Sequence, residues 1–326
     1  MRILITGGAG FIGSALAAHY VSEGHVVTIA DRFTYAGKGK NLWETLGRVR
    51  LLVGDLATGD LAERCAASAP DVVLHLAAET HVDRAIAGPE AFVMTNILGT
   101  TRLLQAFAQR RWADRPGKII VYSTDEVYGP TPEGTSFDEH TPYAPSNAYA
   151  ASKVGVEAMA HAFRRTHRLP IVIVRPCNTY GPRQHPEKAI SRFVAQAMQA
   201  YPLTVYNEGT GSRDWLALPD HVEGIHCLVR VGLIGESYNM AAYEEHSDLD
   251  IAQRVLAALR QESGSRIAFV AGRPGHDYRY AMWGAKLRNL GWKPRRLFED
   301  YFAETVRWVR DHADWWDDDL VYLEDE

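Results

Sequence analysis

Tyr149-Ala-Ala-Ser-Lys153 sets a phenol and an ammonium four residues apart. On a helix, that spacing puts both on one face. A free phenol titrates at about pH 10, and a neighbouring cation favours its anion. A Tyr149 so activated is a base that can take a proton from a hydroxyl while hydride leaves the same carbon. Tyr-x-x-x-Lys by itself also describes an ordinary surface pair. The second reactive group is Asp125-Glu126, within Ser123-Thr124-Asp125-Glu126-Val127-Tyr128-Gly129. Two adjacent acids beyond a strand are candidates for a general acid and a general base. Taken alone, the pair reads more readily as a solvated turn or a helix cap.

Gly7 and Gly8-Ala9-Gly10-Phe11-Ile12-Gly13 supply the context that the Tyr/Lys pair needs. They match G-x-G-x-x-G between a β-rich run and a helical stretch. Missing Cβ atoms let the backbone approach a pyrophosphate, whose charge a helix N-terminus favours. Asp31 closes the next β-rich run, 18 residues after Gly13. A carboxylate there accepts from adenosine ribose hydroxyls and repels a 2′-phosphate, which points to NAD over NADP. Arg32 points the other way, because a guanidinium can accept that phosphate. Asp55, at the end of the third run, reads either as a cofactor contact or as a helix-capping Asp.

These groups need a scaffold, and the pattern of apolar residues specifies one. Short β-rich runs occur at Arg2–Thr6, Val26–Asp31, Val49–Asp55, Asp71–Ala78, Lys118–Thr124 and Ile171–Pro176. Most are nearly all apolar, as parallel strands buried on both faces must be. Helical stretches at Gly10–Glu23, Pro89–Gln109 and Tyr149–Thr166 are long enough for crossovers. The alternation predicts an α/β fold, a doubly wound parallel sheet of Rossmann type. After Pro176 the rhythm breaks into Pro/Gly/Asn-rich pieces and short helices at Ile190–Gln199, Asp250–Arg260 and Glu299–Arg310. The expected division is a cofactor-binding domain over 1–176 and a smaller mixed substrate-binding region over 177–326, with some later segments returning to the sheet.

Composition narrows the function classes. The chain has 326 residues and a formal net charge of -5. Seven acids fall between Asp314 and Glu326, and without them the charge is +2. Such a tail reads as solvated. No basic stripe suggests a nucleic-acid partner. Cys65, Cys177 and Cys227 are too few and too scattered for a disulfide framework or a zinc site. His75, His81 and His276 show no ligand spacing either, so no metal is expected. Apolar runs are too short to span a membrane, and with no long apolar stretch after Met1-Arg2 no secretory signal is expected. A cytoplasmic protein is expected.

The chain resembles an extended short-chain dehydrogenase/reductase, and within that group the nucleoside-diphosphate-glucose 4,6-dehydratases, especially those acting on dTDP-glucose. The likeness runs from Met1 to about Trp316. It is carried by Gly7–Ser14, Asp31–Gly37, His75–Arg84, Thr95-Asn96, Ser123–Gly129, Pro145–Lys153, Asn178–Pro182, Pro186–Lys188, Arg213–Trp215 and Arg273–Asp277. The glycine loop and Tyr/Lys pair mark only the superfamily. Thr-Asp-Glu after the fifth strand is the selective part, and it overrides the reading of Asp125-Glu126 as a plain turn.

The resemblance implies oxidation at C4 by NAD, loss of water across C5 and C6, and return of hydride to C6. Thr124 would bond the sugar O4, Tyr149 would be the base there with Lys153 beside it, Glu126 would take the C5 proton, and Asp125 would protonate the departing C6 hydroxyl. Cofactor contacts are expected from Gly7, Gly10, Phe11, Ile12, Gly13, Asp31, Arg32, Asp55, Leu56, Leu76, Ala77, Ala78, Thr80, Thr95, Tyr149 and Lys153. Nucleotide-sugar contacts are expected from Thr80, Thr124, Asn178, Lys188, Tyr206, Arg213, Arg273 and His276. A homodimer joined through helices near Pro89–Gln109 and Tyr149–Thr166 is implied as well. Cys177-Asn178-Thr179, Gly181-Pro182-Arg183, Pro202–Tyr206 and Asp248 depart from the dTDP-glucose pattern, some toward UDP-sugar enzymes. They lie in the nucleotide-binding part, so they bear on the base and sugar more than on the reaction. Two alternatives stand beside this reading. One is a UDP-sugar 4-epimerase or UDP-glucuronate decarboxylase on the same scaffold; the other is a non-catalytic NAD-binding sensor.

Overall fold

The computed structural model describes residues 1–110, 112, 117–260, 267–272, 274–275 and 277–316. Seven parallel strands make the central sheet. They are β1 (Arg2–Thr6), β2 (Val26–Asp31), β3 (Val49–Val53), β4 (Val72–His75), β5 (Lys118–Tyr122), β6 (Ile171–Pro176) and, beyond three later strands, Ser237–Met240. Their spatial order runs Ser237–Met240, β6, β5, β4, β1, β2, β3. The order reverses direction between β1 and β4, where such sheets open a crevice beyond their carboxyl ends.

Alternation of side chains assigns each strand residue to one of two helical layers. Ile3, Ile5, Val27, Ile29, Val72, Leu74, Ile120 and Val172 pack on one face with Leu16 and Tyr20 of α1 (Phe11–Ser22). Leu4, Ala30, Leu52, Val73, Ile119, Val121, Ile171 and Ile173 face the other way. There they meet α2 (Leu61–Ala67) and the helices that follow β4 and β5. Burial on both faces is the physical reason these runs are nearly all apolar.

The stretch expected as one helix over Pro89–Gln109 is three pieces. After α3 (Val82–Ala87) come α4 (Pro89–Phe92), a π-helical segment over Val93–Leu98, and α5 (Gly99–Gln109). Asn96 lies in the π segment and is fully buried. Its Oδ1 accepts from Glu79 N at 2.8 Å, and its Nδ2 donates to Glu79 O at 3.0 Å and to Ser152 Oγ at 2.8 Å. A π turn is a known device for re-aiming one side chain inside a helix. The anchor joins the end of β4 to α6 (Ala148–His167), which carries Tyr149 and Lys153.

A buried ion pair fastens α6 to β6. Arg175 Nε donates to Glu157 Oε1 at 2.9 Å, and Arg175 Nη2 donates to Glu157 Oε2 at 2.6 Å. Tyr128 and Tyr143 hydroxyls complete the shell around the guanidinium. Burial opposes the charge of Arg175, but the hydrogen bonds and charge of Glu157 outweigh it and raise its pKa.

The elements after β6 divide between the sheet and a smaller region. They comprise β7 (Asn178–Tyr180), α7 (Ala189–Met198), β8 (Leu203–Tyr206), β9 (Ser212–Ala217), α8 (Leu218–Val231), β10 (Ser237–Met240), β11 (Glu245–Ser247), α9 (Asp248–Ala258), β12 (Ile267–Val270), α10 (Ala285–Arg288) and α11 (Phe298–Asp311). β11, β9 and β7 form one small sheet, and β12 pairs with β8 in another. Tyr180, Phe193, Trp215, Ile251, Phe298 and Tyr301 belong to a separate core that stiffens this part. α8 and β10 belong to the main sheet and its first layer. Among the described residues, no helix is long and apolar enough to cross a membrane. The acidic tail beyond Trp316 lies outside the described residues.

Candidate active site

The glycine loop is tightly enclosed. Gly7 has φ +69°, and a Cβ there would lie 2.8 Å from Ala77 N. A Cβ on Gly13 would lie 2.2 Å from Gly7 O and 2.8 Å from Gly8 Cα, all rigid backbone. Only hydrogen side chains allow α1 to start this close to β1. The loop's backbone therefore forms a surface that an anionic group can approach.

Asp31 fixes the loop from the adjacent strand. Its Oδ2 accepts from Ala9 N and its Oδ1 from Phe33 N, both at 2.8 Å. Each oxygen keeps a further acceptor site for a hydroxyl. Arg32 is already engaged, with Nη1 donating to Asp55 Oδ2 at 2.7 Å and Nη2 lying 3.6 Å from Glu79. Arg32 is thus shared by two carboxylates next to Asp31, and their charges weaken its claim on a phosphate. β3 ends at Val53, so Asp55 lies just beyond the strand. It does not cap α2, whose N-cap is Asp60. Asp55 Oδ1 accepts instead from Ala57 N at 2.8 Å.

A cleft of about 390 Å³ opens at the carboxyl end of the sheet. All of the residues expected to hold the cofactor line it: Gly7, Gly10, Phe11, Ile12, Gly13, Asp31, Arg32, Asp55, Leu56, Leu76, Ala77, Ala78, Thr80, Thr95, Tyr149 and Lys153. Thr124, Asp125 and Glu126 line its inner end. The fit to a dinucleotide is therefore good: an open backbone cradle, a ribose-facing carboxylate and a long cleft leading to the acids.

β5 stops at Tyr122, two residues short of the expected end, because Thr124 turns the chain. Thr124 caps a 3₁₀ turn over Asp125–Tyr128, its Oγ1 accepting from Glu126 N at 3.3 Å. The same hydroxyl donates to Asp125 Oδ1 at 3.1 Å and shares a hydrogen bond with the Tyr149 phenol. Asp125 is 4 % exposed, and its Oδ2 is buried with no hydrogen-bond partner among the described residues. Burial, reinforced by the charge of Glu126, pushes the Asp125 carboxyl up to about 8. Glu126 is less enclosed, and its Oε2 accepts from Asn147 Nδ2 at 3.2 Å. The two acids are thus in different environments, the condition for one to donate and the other to accept a proton.

The helix of Tyr149 also meets the end of β5. The spacing puts Lys153 on the Tyr149 face of α6, and the Lys153 ammonium donates to Tyr122 O at 3.0 Å. Burial and then the charge of Glu126 raise the Tyr149 pKa, and Thr124 opposes them. Which acceptor the ammonium reaches is set by the end of β5 packed against the helix, a contact no helical spacing encodes. Burial pushes Lys153 itself down to about 8, with Glu157 one turn along opposing.

A second cavity of about 150 Å³ adjoins the cleft, and Thr80, Glu126, Asn178 and Lys188 line both. Tyr206, Arg213 and Asp248 line it further out. Lys188 Nζ donates to Thr80 O at 3.3 Å. Arg213 is 8 % exposed, and its guanidinium donates to Ser212 O at 2.7 Å and Asp277 O at 2.8 Å while covering the Tyr280 ring. Arg273 and His276 lie outside the described residues. Sequence reasoning passed over Glu187, Tyr280 and Asn147, all of which line this cavity. Only Asn147 carried a local signal, an Asn immediately before a helix.

A family profile described as GDP-mannose 4,6 dehydratase matches residues 4–305. The dTDP-glucose 4,6-dehydratase of Streptomyces niveus is 40% identical, over 97% of this chain and 95% of its own. The crystal structure of DesIV, a dTDP-glucose 4,6-dehydratase from Streptomyces venezuelae with NAD and TYD bound, superposes with a TM-score of 0.92. It is 38% identical and covers 98% of this chain and 99% of its own. The UDP-glucose 4-epimerase of Thermus thermophilus, complexed with NAD, has a TM-score of 0.88 at 29% identity, covering 96% of this chain and 100% of its own.

Proposed function

The chain belongs to the GDP-mannose 4,6 dehydratase family, and on that premise we propose that it dehydrates a nucleoside-diphosphate hexose, best matched by dTDP-glucose, to the 4-keto-6-deoxy sugar. It is a hydro-lyase that uses NAD. The observation that carries the reading is Asp125: a buried carboxyl with an unpartnered oxygen, pushed up to about 8, one residue from Glu126. An epimerase has no use for such an acid.

When bound, NAD supplies the acceptor and later the donor of the hydride. The residues do the rest. Thr124 bonds the sugar O4, and Tyr149 takes the O4 proton as its phenolate, an anion that the positive charge of a bound oxidised nicotinamide would favour against the burial that opposes it. The C4 ketone acidifies the C5 hydrogen, and Glu126 removes it as a proton. Asp125 gives its proton to the C6 hydroxyl, which leaves as water while the C5–C6 double bond forms, and once hydride is restored at C6 Glu126 gives its proton back to C5. Lys188 and Arg213 offset the charge of the substrate's diphosphate. Asn178 and Tyr206 contact the nucleotide sugar.

The test is mass spectrometry of products from dTDP-, UDP-, GDP- and CDP-glucose given separately. Loss of one water from dTDP-glucose is expected. The elimination rate should fall as pH rises through about 8, because Asp125 must hold its proton to act. No loss of water from any of the four sugars would overturn the reading.

We also place the enzyme in the cytoplasm as a homodimer joined through the 89–109 stretch and α6. Exposed Val93 and Met94 on that stretch support this face. Sedimentation as a monomer at micromolar concentration would contradict it.

A further inference from the structure

Asn147 occupies a position that the reaction scheme leaves unassigned. Its Oδ1 accepts from Ala150 N at 2.9 Å and so caps α6, the helix of Tyr149 and Lys153. Its Nδ2 donates to Glu126 Oε2 at 3.2 Å. The two bonds fix the amide's orientation, since only the oxygen can accept from a backbone N–H. Tyr280 also approaches Glu126 Oε2, at 3.4 Å. A hydroxyl has one proton, however, and Tyr280 holds a much shorter contact with Asp277 Oδ2, at 2.7 Å. Asn147 is therefore the firmer side-chain donor to Glu126 among the described residues.

Resting on the dehydratase reading above, we propose that Asn147 is a positioning residue that aims the Glu126 carboxyl at C5 and ties it to the helix carrying Tyr149. An amide N–H bonds a carboxylate more strongly than a neutral carboxyl. The same side chain fixes the start of α6, so the base at C4 and the base at C5 share one anchor. If the cap unwinds, both move. If the donor alone is lost, only Glu126 is released.

Asn147→Asp and Asn147→Ser separate these roles, because Asp and Ser are both good N-caps. Asn147→Asp removes the donor and sets a second carboxylate beside Glu126. Like charge favours the protonated form of Glu126, so the acid limb of the pH–rate profile should move to higher pH. At neutral pH the rate should drop roughly 10- to 100-fold, the range for a hydrogen bond to a charged group. Substrate deuterated at C5 should show a larger isotope effect than with wild type, because proton removal becomes slower than the other steps. Asn147→Ser should lose rate with a smaller shift of the acid limb. Thermal midpoints should remain near wild type in both.

A wild-type pH profile and isotope effect in Asn147→Asp would overturn the proposal. So would an equal loss of rate with no change in isotope effect, which marks a cap role alone. If the wild-type protein releases no water from any nucleotide sugar, the dehydratase reading fails first. If it does and Asn147→Asp behaves like it, only the role of Asn147 fails.

Discussion

Glu126→Gln should slow dehydration by roughly 10²- to 10⁴-fold, the usual contribution of a positioned general base. The substitution preserves shape, and an amide oxygen can still accept from Asn147. What disappears is the ability to take the C5 proton. The glycine loop, Asp31 and Asp55 are built from β1, β2 and the chain after β3, and none of their contacts runs through Glu126. Bound NAD, measured after release from the denatured protein, should therefore stay at the wild-type level. Initial rates and cofactor content on one preparation separate a chemical defect from a misfolded site. A wild-type rate would remove Glu126 from the mechanism. Loss of cofactor together with rate would mean that the turn after β5 supports the cleft as a whole.

Glu157→Gln should cost about 3–5 kcal/mol of stability, the penalty for leaving one member of a buried ion pair uncompensated. Both side chains are almost wholly enclosed, at 3% and 0% exposure for Arg175 and Glu157. Against a typical total of roughly 5–15 kcal/mol, that loss moves the protein close to unfolding. Denaturant titration followed by fluorescence measures it. A loss under about 1 kcal/mol, the scale of a solvent-exposed pair, would mean that Tyr128 and Tyr143 hold Arg175 without its anion. Because the pair joins α6 to β6, the same variant reports how far the catalytic helix depends on this fastening.

Much of the site follows from local pattern. The glycine spacing, the acid at the end of β2 and the all-apolar strands imply a parallel sheet with a dinucleotide cleft, and the chain folds so. The reason is that backbone access, strand alternation and burial on two faces leave their mark residue by residue. Asp125-Glu126 is different. Local pattern describes a turn, and only likeness to a family lifted it above that. Its chemistry depends on burial, and the charges that bear on Asp125 include Arg213 and Asp214 of β9, far along the chain. The helix over Pro89–Gln109 was legible as helical but not as broken, because the π turn coincides with the anchor that Asn96 makes to Glu79 and Ser152.

By itself, then, the sequence determined the fold class, the preference for NAD through Asp31, and the cluster of reactive groups, since each rests on residue type at short range. Tertiary structure alone decided which group carries a proton. It buries Asp125 with one oxygen unpartnered among the described residues and sets the Lys153 ammonium on Tyr122 O. It also sets Asn147 between Glu126 and α6. Desolvation and hydrogen-bond partnering arise from contacts between segments distant in sequence, and those contacts exist only once the chain has folded.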